Sequence, residues 1–345
     1  MTVQEGLFNR KCTLQISNAA GTTLDLSEFR IVFHIEAHDQ DFPGTAVIRI
    51  YNLDPKTVNQ IQTEYQVVTL QAGYQAGPFA AIFVGAIKQF RIGKEDSVST
   101  YLDLLCADQD ILYNATPISQ PLAAGWTPQR VVAQVVAAAN DANAVIAHPE
   151  SQVSVNDFSE TFLEGSGILP APRGKVLYGS AKSVLKSTAS TLNCSWSIQK
   201  GVLQIIPFDR YLPSQVVTLT QFSGVVGIPE VTNEGIKIKC LLNPLIEVGG
   251  TIQLNNALVN QIANALGNFV PPGASGGSKG LAFNAANADK NAIQYFANVG
   301  LDSKLYRVLV VEYEGDTRGG PWYANIIALL ADPSSQTVIT NPTGN

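Results

Sequence analysis

Two blocks of alternating apolar and polar residues lie toward opposite ends of the chain. The first covers residues 29–38 and resumes over 44–55, and the second covers residues 227–244. In each block the alternation stops at an Asn followed closely by a Pro, a pattern typical of a half-buried strand that ends in a turn. The chain therefore carries two strand-rich regions of similar design, one in each half.

The first region, residues 1–113, is predicted to be a β-domain. Period-two alternation predicts strands over residues 11–17, 29–37, 44–52, 67–73, 80–92 and 98–107. A short helix is predicted over 54–63, because Asp54 can cap it and Pro55 suits its first turn. Val58 and Ile61, with Tyr65 just after it, form the inward side of this helix.

Residues 114–210 show a different pattern, which predicts a small α+β region. Apolar residues recur at helical spacing over 127–139, with Thr127 as the cap, and again over 180–192. A hairpin follows, with strands over 194–198 and 202–207 joined by a turn at 199–201. Two helices and a hairpin are thus inserted between the strand-rich regions.

Residues 211–331 return to a strand pattern and predict a second β-domain. Strands are expected over 216–219, 235–242, 251–254, 306–314 and 322–330. An insertion at 256–300 carries helical patterns at 257–266 and 289–297 around a flexible loop at 271–280. Residues 332–345 form a C-terminal tail. The fold class is mainly β with an α+β insert: two β-barrel or β-sandwich domains flanking the helix-plus-hairpin region.

The composition suits an assembled protein, and it suits an ordinary soluble β-rich protein as well. The chain has 345 residues, of which 14% are charged, against about 25% in a typical globular domain. This fits a surface that neighbouring subunits largely cover. The net charge of −6 gives no bulk attraction for nucleic acid.

The four cysteines indicate neither a zinc ribbon nor a redox motif. They lie far apart, without a C-x-x-C pair. Cys106 and Cys240 fit small core residues in strands, and a reducing cytosol is the expected site of synthesis. The sequence also predicts neither a signal peptide nor a membrane insertion.

Three residues on one predicted strand form a candidate metal site. His34, Glu36 and His38 lie two residues apart, so their side chains share one face. Two imidazoles and a carboxylate can bind zinc or iron. An ordinary solvated strand face explains the same pattern and is favoured, because polar alternation is common on such faces.

Two further patterns, a G-x-S-x-G match and an acidic stretch, are candidate catalytic sites. Residues 273–277 match G-x-S-x-G, but prolines precede the serine and glycines follow it, whereas a nucleophile elbow needs a strand and a helix. Glu150, Asp157, Glu160 and Glu164 could supply a glycosidase pair. Nearby Gly and Pro residues predict a loop there, and a solvated or partner-facing surface is favoured.

A series of short motifs resembles the baseplate hub proteins of contractile-tailed bacteriophages. This tail-tube-like, two-barrel family is related to the hub part of type VI secretion spike proteins. The motifs lie at residues 50–53, 70–74, 82–87, 102–108, 179–196, 227–244 and 306–316, in the family's order. The positions that carry the resemblance are Tyr51, Asn52, Leu53, Gly73, Tyr74, Asn243, Pro244 and Asp316.

The resemblance implies a structural virion protein rather than an enzyme, without a cofactor. It implies a homotrimer whose two tube-type β-domains per subunit form a ring, which adapts a sixfold tail tube to a threefold spike. Expected partners are the spike, tail tube, baseplate wedge and tape measure proteins, with transient passage of DNA through the lumen. Assembly would occur in the host bacterial cytoplasm, and the mature location would be the tail baseplate.

Two other functions are alternatives to the baseplate hub. A distal tail or tube-initiator protein of a non-contractile tail would be a hexamer with one barrel per subunit. A cell-wall polysaccharide hydrolase would work through the acidic stretch and would lose activity on Glu160→Gln. Two predicted barrels and the lack of a catalytic constellation favour the hub.

Overall fold

The computed structural model describes residues 9–143, 152–165, 169–220, 224–232, 235–255 and 305–331. The predicted helices within 256–300, the loop at 271–280, the G-x-S-x-G match and the tail at 332–345 lie outside the described residues.

The first strand-rich region contains all six predicted strands. The strands are β1 (Arg10–Asn18), β2 (Thr23–Asp25), β3 (Ile31–His38), β4 (Thr45–Tyr51), β5 (Tyr65–Tyr74), β6 (Phe79–Lys94) and β7 (Thr100–Ala107). Only the three-residue β2 was not predicted. The helix α1 (Pro55–Glu64) begins as expected, because the Asp54 carboxylate accepts the backbone N–H of Lys56 at 3.1 Å and Pro55 occupies the first turn. Ile61 is fully buried on its inner side.

The middle region forms the predicted helices and hairpin together with several unpredicted elements. Its elements are α2 (Asp110–Asn114), β8 (Pro117–Leu122), α3 (Pro128–Asn143), β9 (Ser154–Val155), α4 (Asp157–Gly165), β10 (Lys175–Ser180), α5 (Ala181–Thr191), β11 (Cys194–Gln199) and β12 (Val202–Pro207). Ser180 caps α5 by accepting the N–H of Ser183 at 3.2 Å. The strands β8 and β10 pair with each other, and β9 joins the β11–β12 hairpin.

The last region contains the five predicted strands and one more. Its strands are β13 (Val217–Leu219), β14 (Glu230–Thr232), β15 (Gly235–Leu241), β16 (Thr251–Leu254), β17 (Leu305–Asp316) and β18 (Trp322–Leu330). The turn after Asp316 joins β17 to β18 as predicted. Only β14 was not predicted.

One hydrogen-bonded sheet runs through both strand-rich regions. Its order is β14-β15-β18-β17-β3-β4-β7-β6-β5-β1-β2, with β13 and β16 attached beside β17. The joint between the two halves of the sequence is the antiparallel pair β3–β17, in which Val310–Asp316 align with His38–Val32. The two strand-rich regions are thus neighbours within one sheet. Their separation into two tube-type domains at residues 113 and 211 stays a prediction.

The described residues form two apolar cores. The larger core draws on both strand-rich regions and includes Ile48, Leu104, Tyr306, Trp322 and Ile326. The second lies wholly within the middle region, where α3 packs against α5 and α5 packs against β11, around Val131, Leu185 and Trp196. Burial of apolar area stabilises each core separately. Residues 110–207, which contain the second core, are called the α+β unit below.

Candidate assembly surfaces

The outer half of β6 is an open sheet edge. From Phe79 to Ala86 this strand pairs with β5 on one side, and from Ala86 to Lys94 it pairs with β7 on the other. A register shift between Ile87 and Gln89 marks the point where the strand leaves β5. Within the described part of the chain, no strand pairs with the free side of β6 beyond Ala86. Unpaired backbone groups there can accept a strand from another chain.

A second open edge lies at the opposite end of this run of strands. Residues 224–232 cover the outer side of β15, where the N–H of Val226 donates to the carbonyl of Lys239 at 2.8 Å and β14 continues the pairing. Their own outer side pairs with no strand among the residues described. Val226 and Ile228 are 43% and 52% exposed, and Ile92 on the β6 edge is 58% exposed. Each open edge thus presents an apolar side chain to solvent.

Between these edges, the sheet face opposite the larger core is polar. Cross-strand register aligns one row through Lys239, Asn325, Glu312, Glu36 and Thr45. A parallel row contains Tyr323, Glu314, His34, Val47 and Leu105. Three glutamates therefore lie at the middle of the face, close to the β3–β17 joint.

Glu36 and Glu312 lie directly opposite each other in the β3–β17 pair. Like charges in this position repel and weaken strand pairing. The neighbouring His34 ring lies beside two of these carboxylates, with its Nε2 3.1 Å from Glu36 Oε1 and its Nδ1 3.8 Å from Glu314 Oε1. Asn325 donates to Glu312 at 3.4 Å. The centre of the face thus keeps an acidic patch that contributes little to folding.

The candidate metal ligands do not converge. His34 and Glu36 contact each other, whereas His38 is buried against the ring of Phe42, with ring centroids 3.7 Å apart. Burial lowers the pKa of His38. The described residues contain no cluster of three or more His, Cys, Asp or Glu side chains arranged to hold a metal ion.

Two arginine–carboxylate pairs flank the acidic patch. Arg49 forms a bidentate pair with the buried Asp103, at 2.7 and 3.1 Å, and stacks 3.9 Å from the ring centre of Tyr101. The hydrogen bonds that Arg49 donates to Asp103 raise the pKa of Arg49. These contacts fix the side chains of β4 and β7 on the polar face.

The second arginine–carboxylate pair is Arg30 with Asp316, and the ring of Tyr51 lies beside it. Arg30 binds both carboxylate oxygens of Asp316, at 2.8 and 3.3 Å, and lies 4.6 Å from the ring centre of Tyr51. Burial alone would raise the pKa of Asp316, but the hydrogen bonds from Arg30 and the Arg318 N–H bring it below its ordinary value. Two of the positions that carry the family resemblance thus meet at the joint between the two halves of the chain.

The remaining resemblance positions occupy turns and buried strand ends. Asn52, at φ 55°, accepts the N–H of Thr100 at 3.0 Å, and Leu53 is buried beside it. Gly73, at φ 156°, and the buried Tyr74 begin the β5–β6 turn. Asn243, which precedes Pro244, accepts the N–H of Leu245 at 3.1 Å. These residues shape the backbone, and their role in assembly stays a prediction.

The α+β unit has an uncharged, exposed strand face of its own. On the two-stranded β8–β10 sheet, Val176 and Tyr178 are 68% and 83% exposed, and their cross-strand partners are Pro121 and Ser119. Leu177 and Ile118 point the other way into the second core. An exposed tyrosine beside valine and proline is typical of a contact surface.

The acidic stretch is partly helical, so the loop prediction was wrong there. Asp157, Glu160 and Glu164 lie on α4, and Glu150 lies outside the described residues. Asp157 and Glu160 occupy the first turn, where carboxylates are favoured by the helix dipole. Glu164 accepts a hydrogen bond from Gln129 at 2.9 Å. These contacts give the acidic residues a structural role in this helix.

The three tryptophans all anchor structure. Trp196 is buried and stacks on Tyr113 at 5.3 Å, and Trp322 packs edge-on against Phe33 at 5.5 Å. Trp126 donates to the carbonyl of Arg173 at 3.0 Å. Cys106 and Cys240 are buried core residues, as predicted. No helix in the described ranges is long and apolar enough to cross a membrane.

The chain matches no family model, and it matches no curated protein. Its fold is similar to that of solved tail proteins over nearly the whole length. A tail protein from Neisseria meningitidis MC58 superposes with a TM-score of 0.52 at 9% identity, covering 94% of this chain and 97% of that one. The 43 kDa tail protein of prophage MuSo2 from Shewanella oneidensis gives 0.53 at 8% identity, covering 93% and 98%.

A PdpA–VgrG complex is also similar, with a TM-score of 0.50 at 8% identity, covering 94% of this chain and 66% of that one. The chain therefore has the mainly β fold of these proteins, and the sequence resemblance is confirmed at the level of the fold.

Proposed function

We propose that the chain is a structural subunit of a phage tail and serves as the hub of its baseplate. Three copies form a ring that adapts the sixfold tail tube to a threefold spike. The fold shared with tail proteins over more than nine-tenths of the chain supports a tail role. The observation that carries the hub role is the continuous sheet with an open edge at each end of its central run.

The strand count suits closure into a ring. From β14 to β6 the sheet contains eight strands, and each pairs antiparallel with the next. Because eight is even, joining the β6 edge of one copy to the 224–232 edge of the next keeps the antiparallel alternation. Such head-to-tail joints generate a closed ring when the rotation fits. Both open edges are then paired, which removes a site of aggregation.

The polar face is proposed to line the channel of this ring. Its central glutamates, Glu36, Glu312 and Glu314, present negative charge from each copy. A wall of this sign repels phosphate groups, so DNA can pass without being held. Before DNA passes, the same channel would hold the end of the tape measure protein.

The outward surfaces are left for the other partners. The exposed β8–β10 face, with Val176 and Tyr178, suits a protein contact outside the ring. Spike, tail tube and wedge proteins are the proposed neighbours. The role is structural, and the proposed location is the baseplate of a virion assembled in the bacterial cytoplasm.

Charged substitutions at the two edges are expected to break the ring. Ile92→Lys or Ile228→Lys buries an unpaired charge in the joint, so each variant should raise the dissociation constant of the trimer at least about tenfold. Light scattering over a range of concentrations measures this. Val176→Lys is the matched control, since Val176 is also an exposed apolar strand residue, at 68% against 58% for Ile92 and 52% for Ile228, but lies on neither edge. Equal loss of trimer in all three variants, or in none, would contradict the edge-to-edge joint.

A further inference from the structure

The pairing of β8 with β10 fixes which backbone groups face outward from this two-stranded sheet. In an antiparallel pair, residues directly opposite each other alternate between hydrogen-bonded and non-hydrogen-bonded pairs. The N–H of Ala181 donates to the carbonyl of Thr116 at 2.9 Å, one step beyond the pair of Ser180 with Pro117. Counting back from Ala181, the odd-numbered residues of β10 bond to β8, and the even-numbered residues direct their backbone groups away from it.

The two outer sides of the sheet differ in their capacity to bind a further strand. The residues of β8 that face outward are Pro117, Ser119 and Pro121. Proline has no N–H, so Ser119 is the one backbone donor among these three, and prolines on an outer strand discourage further pairing. The residues of β10 that face outward include Val176 and Tyr178, each with an N–H and a carbonyl group. The β8 side is therefore closed to another strand, and the β10 side is open.

The outer side of β10 is also unoccupied by any strand in the part of the chain that the structure describes, since this sheet contains β8 and β10 alone. The side chains of Val176 and Tyr178 lie on the solvent face beside it, 68% and 83% exposed. Leu177 between them is buried in the second core, which holds β10 on the α+β unit. Free backbone groups beside exposed β-branched and aromatic side chains suit the addition of a strand.

The residues around β10 are positively charged, although the chain as a whole carries a net charge of −6. Residues 169–185 contain Arg173, Lys175 and Lys182 and no Asp or Glu. The Lys175 ammonium group lies 4.9 Å from the ring centre of Trp126, a contact that brings no negative charge. Neither Arg173 nor Lys175 forms an ion pair with a carboxylate among the residues described. An acidic segment would balance this charge, whereas β10 of a second copy would bring like charges to it.

We propose that the outer side of β10 accepts an extended acidic segment of another protein as the third strand of this sheet. The segment bonds through its backbone to Val176 and Tyr178 and places carboxylates near Arg173 and Lys175. Strand addition here deepens the contact outside the ring that the proposed function assigns to this face. It does not require the trimer, because the outer side of β10 belongs to a single chain.

Binding of a synthetic peptide to the full chain tests strand addition. The probe is a fluorescein-labelled peptide of two glutamates followed by three threonine–valine pairs, and fluorescence anisotropy measures its dissociation constant. We expect saturable binding with a dissociation constant below about 1 mM. A peptide with lysines in place of the glutamates should bind at least about tenfold more weakly, because it meets like charges at the start of β10.

Variants of the chain test the position and the backbone bonds. Val176→Pro removes an outward N–H and no bond to β8, so the chain should fold and bind the glutamate peptide at least about tenfold more weakly. Ser119→Pro is the matched control, because it removes the outward N–H opposite Tyr178 on the β8 side and should leave binding unchanged. If Val176→Pro fails to fold, the double variant Arg173→Gln with Lys175→Met should weaken binding about tenfold.

Three results would overturn the proposal: no binding of the glutamate peptide at about 1 mM, equal binding by Val176→Pro and Ser119→Pro, or equal binding by the charge variant and the unsubstituted chain. Self-association that Val176→Pro abolishes would also overturn it, since a second copy would then occupy this side. Ile92→Lys, which is expected to break the ring, should bind the peptide as the unsubstituted chain does. Failure of the trimer and failure of strand addition are thereby told apart.

Discussion

Arg307→Met is expected to destabilise the protein by about 3–5 kcal/mol. Arg307 and its partner Asp39 are buried, with side-chain exposures of 7% and 3%. Arg307 also donates to the carbonyls of Pro207 and Arg210 at 2.8 and 2.9 Å, and Ser195 donates to Asp39 at 2.9 Å. Its removal leaves a buried carboxylate without its cation. Urea unfolding followed by tryptophan fluorescence measures the change in the free energy of unfolding.

Two further variants test whether the loss of stability comes from the unpaired buried charge. Lys186→Met breaks the exposed pair with Asp41 and should cost about 0–1 kcal/mol. The double variant Arg307→Met with Asp39→Leu removes both buried charges and should recover much of the lost stability. A cost below about 1 kcal/mol for Arg307→Met alone would contradict the stabilising role assigned to this buried ion pair.

Gly73→Ala is expected to destabilise the protein by about 3–5 kcal/mol. A β-carbon at this position would lie 2.0 Å from the carbonyl oxygen of Pro78 and 2.8 Å from the α-carbon of Phe79. Both are backbone atoms, so relief requires the β5–β6 turn to move. The same unfolding measurement reports the change.

Substitutions at two other glycines distinguish steric overlap of the added β-carbon from the strain of a positive φ. Gly21 has a φ of 80° with no atom within 4 Å of an added β-carbon, so Gly21→Ala should cost about 1 kcal/mol. Gly319 has neither constraint, and Gly319→Ala should change stability by less than about 0.5 kcal/mol. Equal effects at all three positions would contradict the role assigned to Gly73.

The strands of the large sheet could be predicted because each has one buried and one open face. In β3, for example, Phe33 and Ile35 enter the core while His34 and Glu36 face outward, which gives a clear period of two. The cap of α1 was equally visible, since Asp54 is a short polar residue directly before apolar helical spacing.

The missed elements lack such signals. The strand β8 contains Pro117 and Pro121, which usually argue against a strand, and pairs only with β10. In β10, Val176 and Tyr178 are exposed apolar residues, so inward and outward positions look alike in sequence. The sequence around helix α4 predicts a loop instead, because glycines and prolines lie close to its nine residues.

The assembly surfaces could be predicted only in part. Alternation showed which side chains share a face, but the pairing of β3 with β17 joins residues nearly 280 positions apart, and that joint creates the acidic patch. The contact of the buried Asp108 with the turn at Lys200 and Gly201 could not be predicted either, because its partners there are backbone N–H groups far away in sequence. Contacts of this kind depend on tertiary structure, which single-chain patterns do not report.

The most direct test of the hub is the solution mass of the purified protein by light scattering. The paired edges predict a particle three times the 36.9 kDa chain mass, retained on dilution into the low micromolar range. A hexamer would instead favour a tube-initiator ring with one barrel per subunit. A monomer at high concentration would contradict the proposal that the β6 and 224–232 edges bring three copies together.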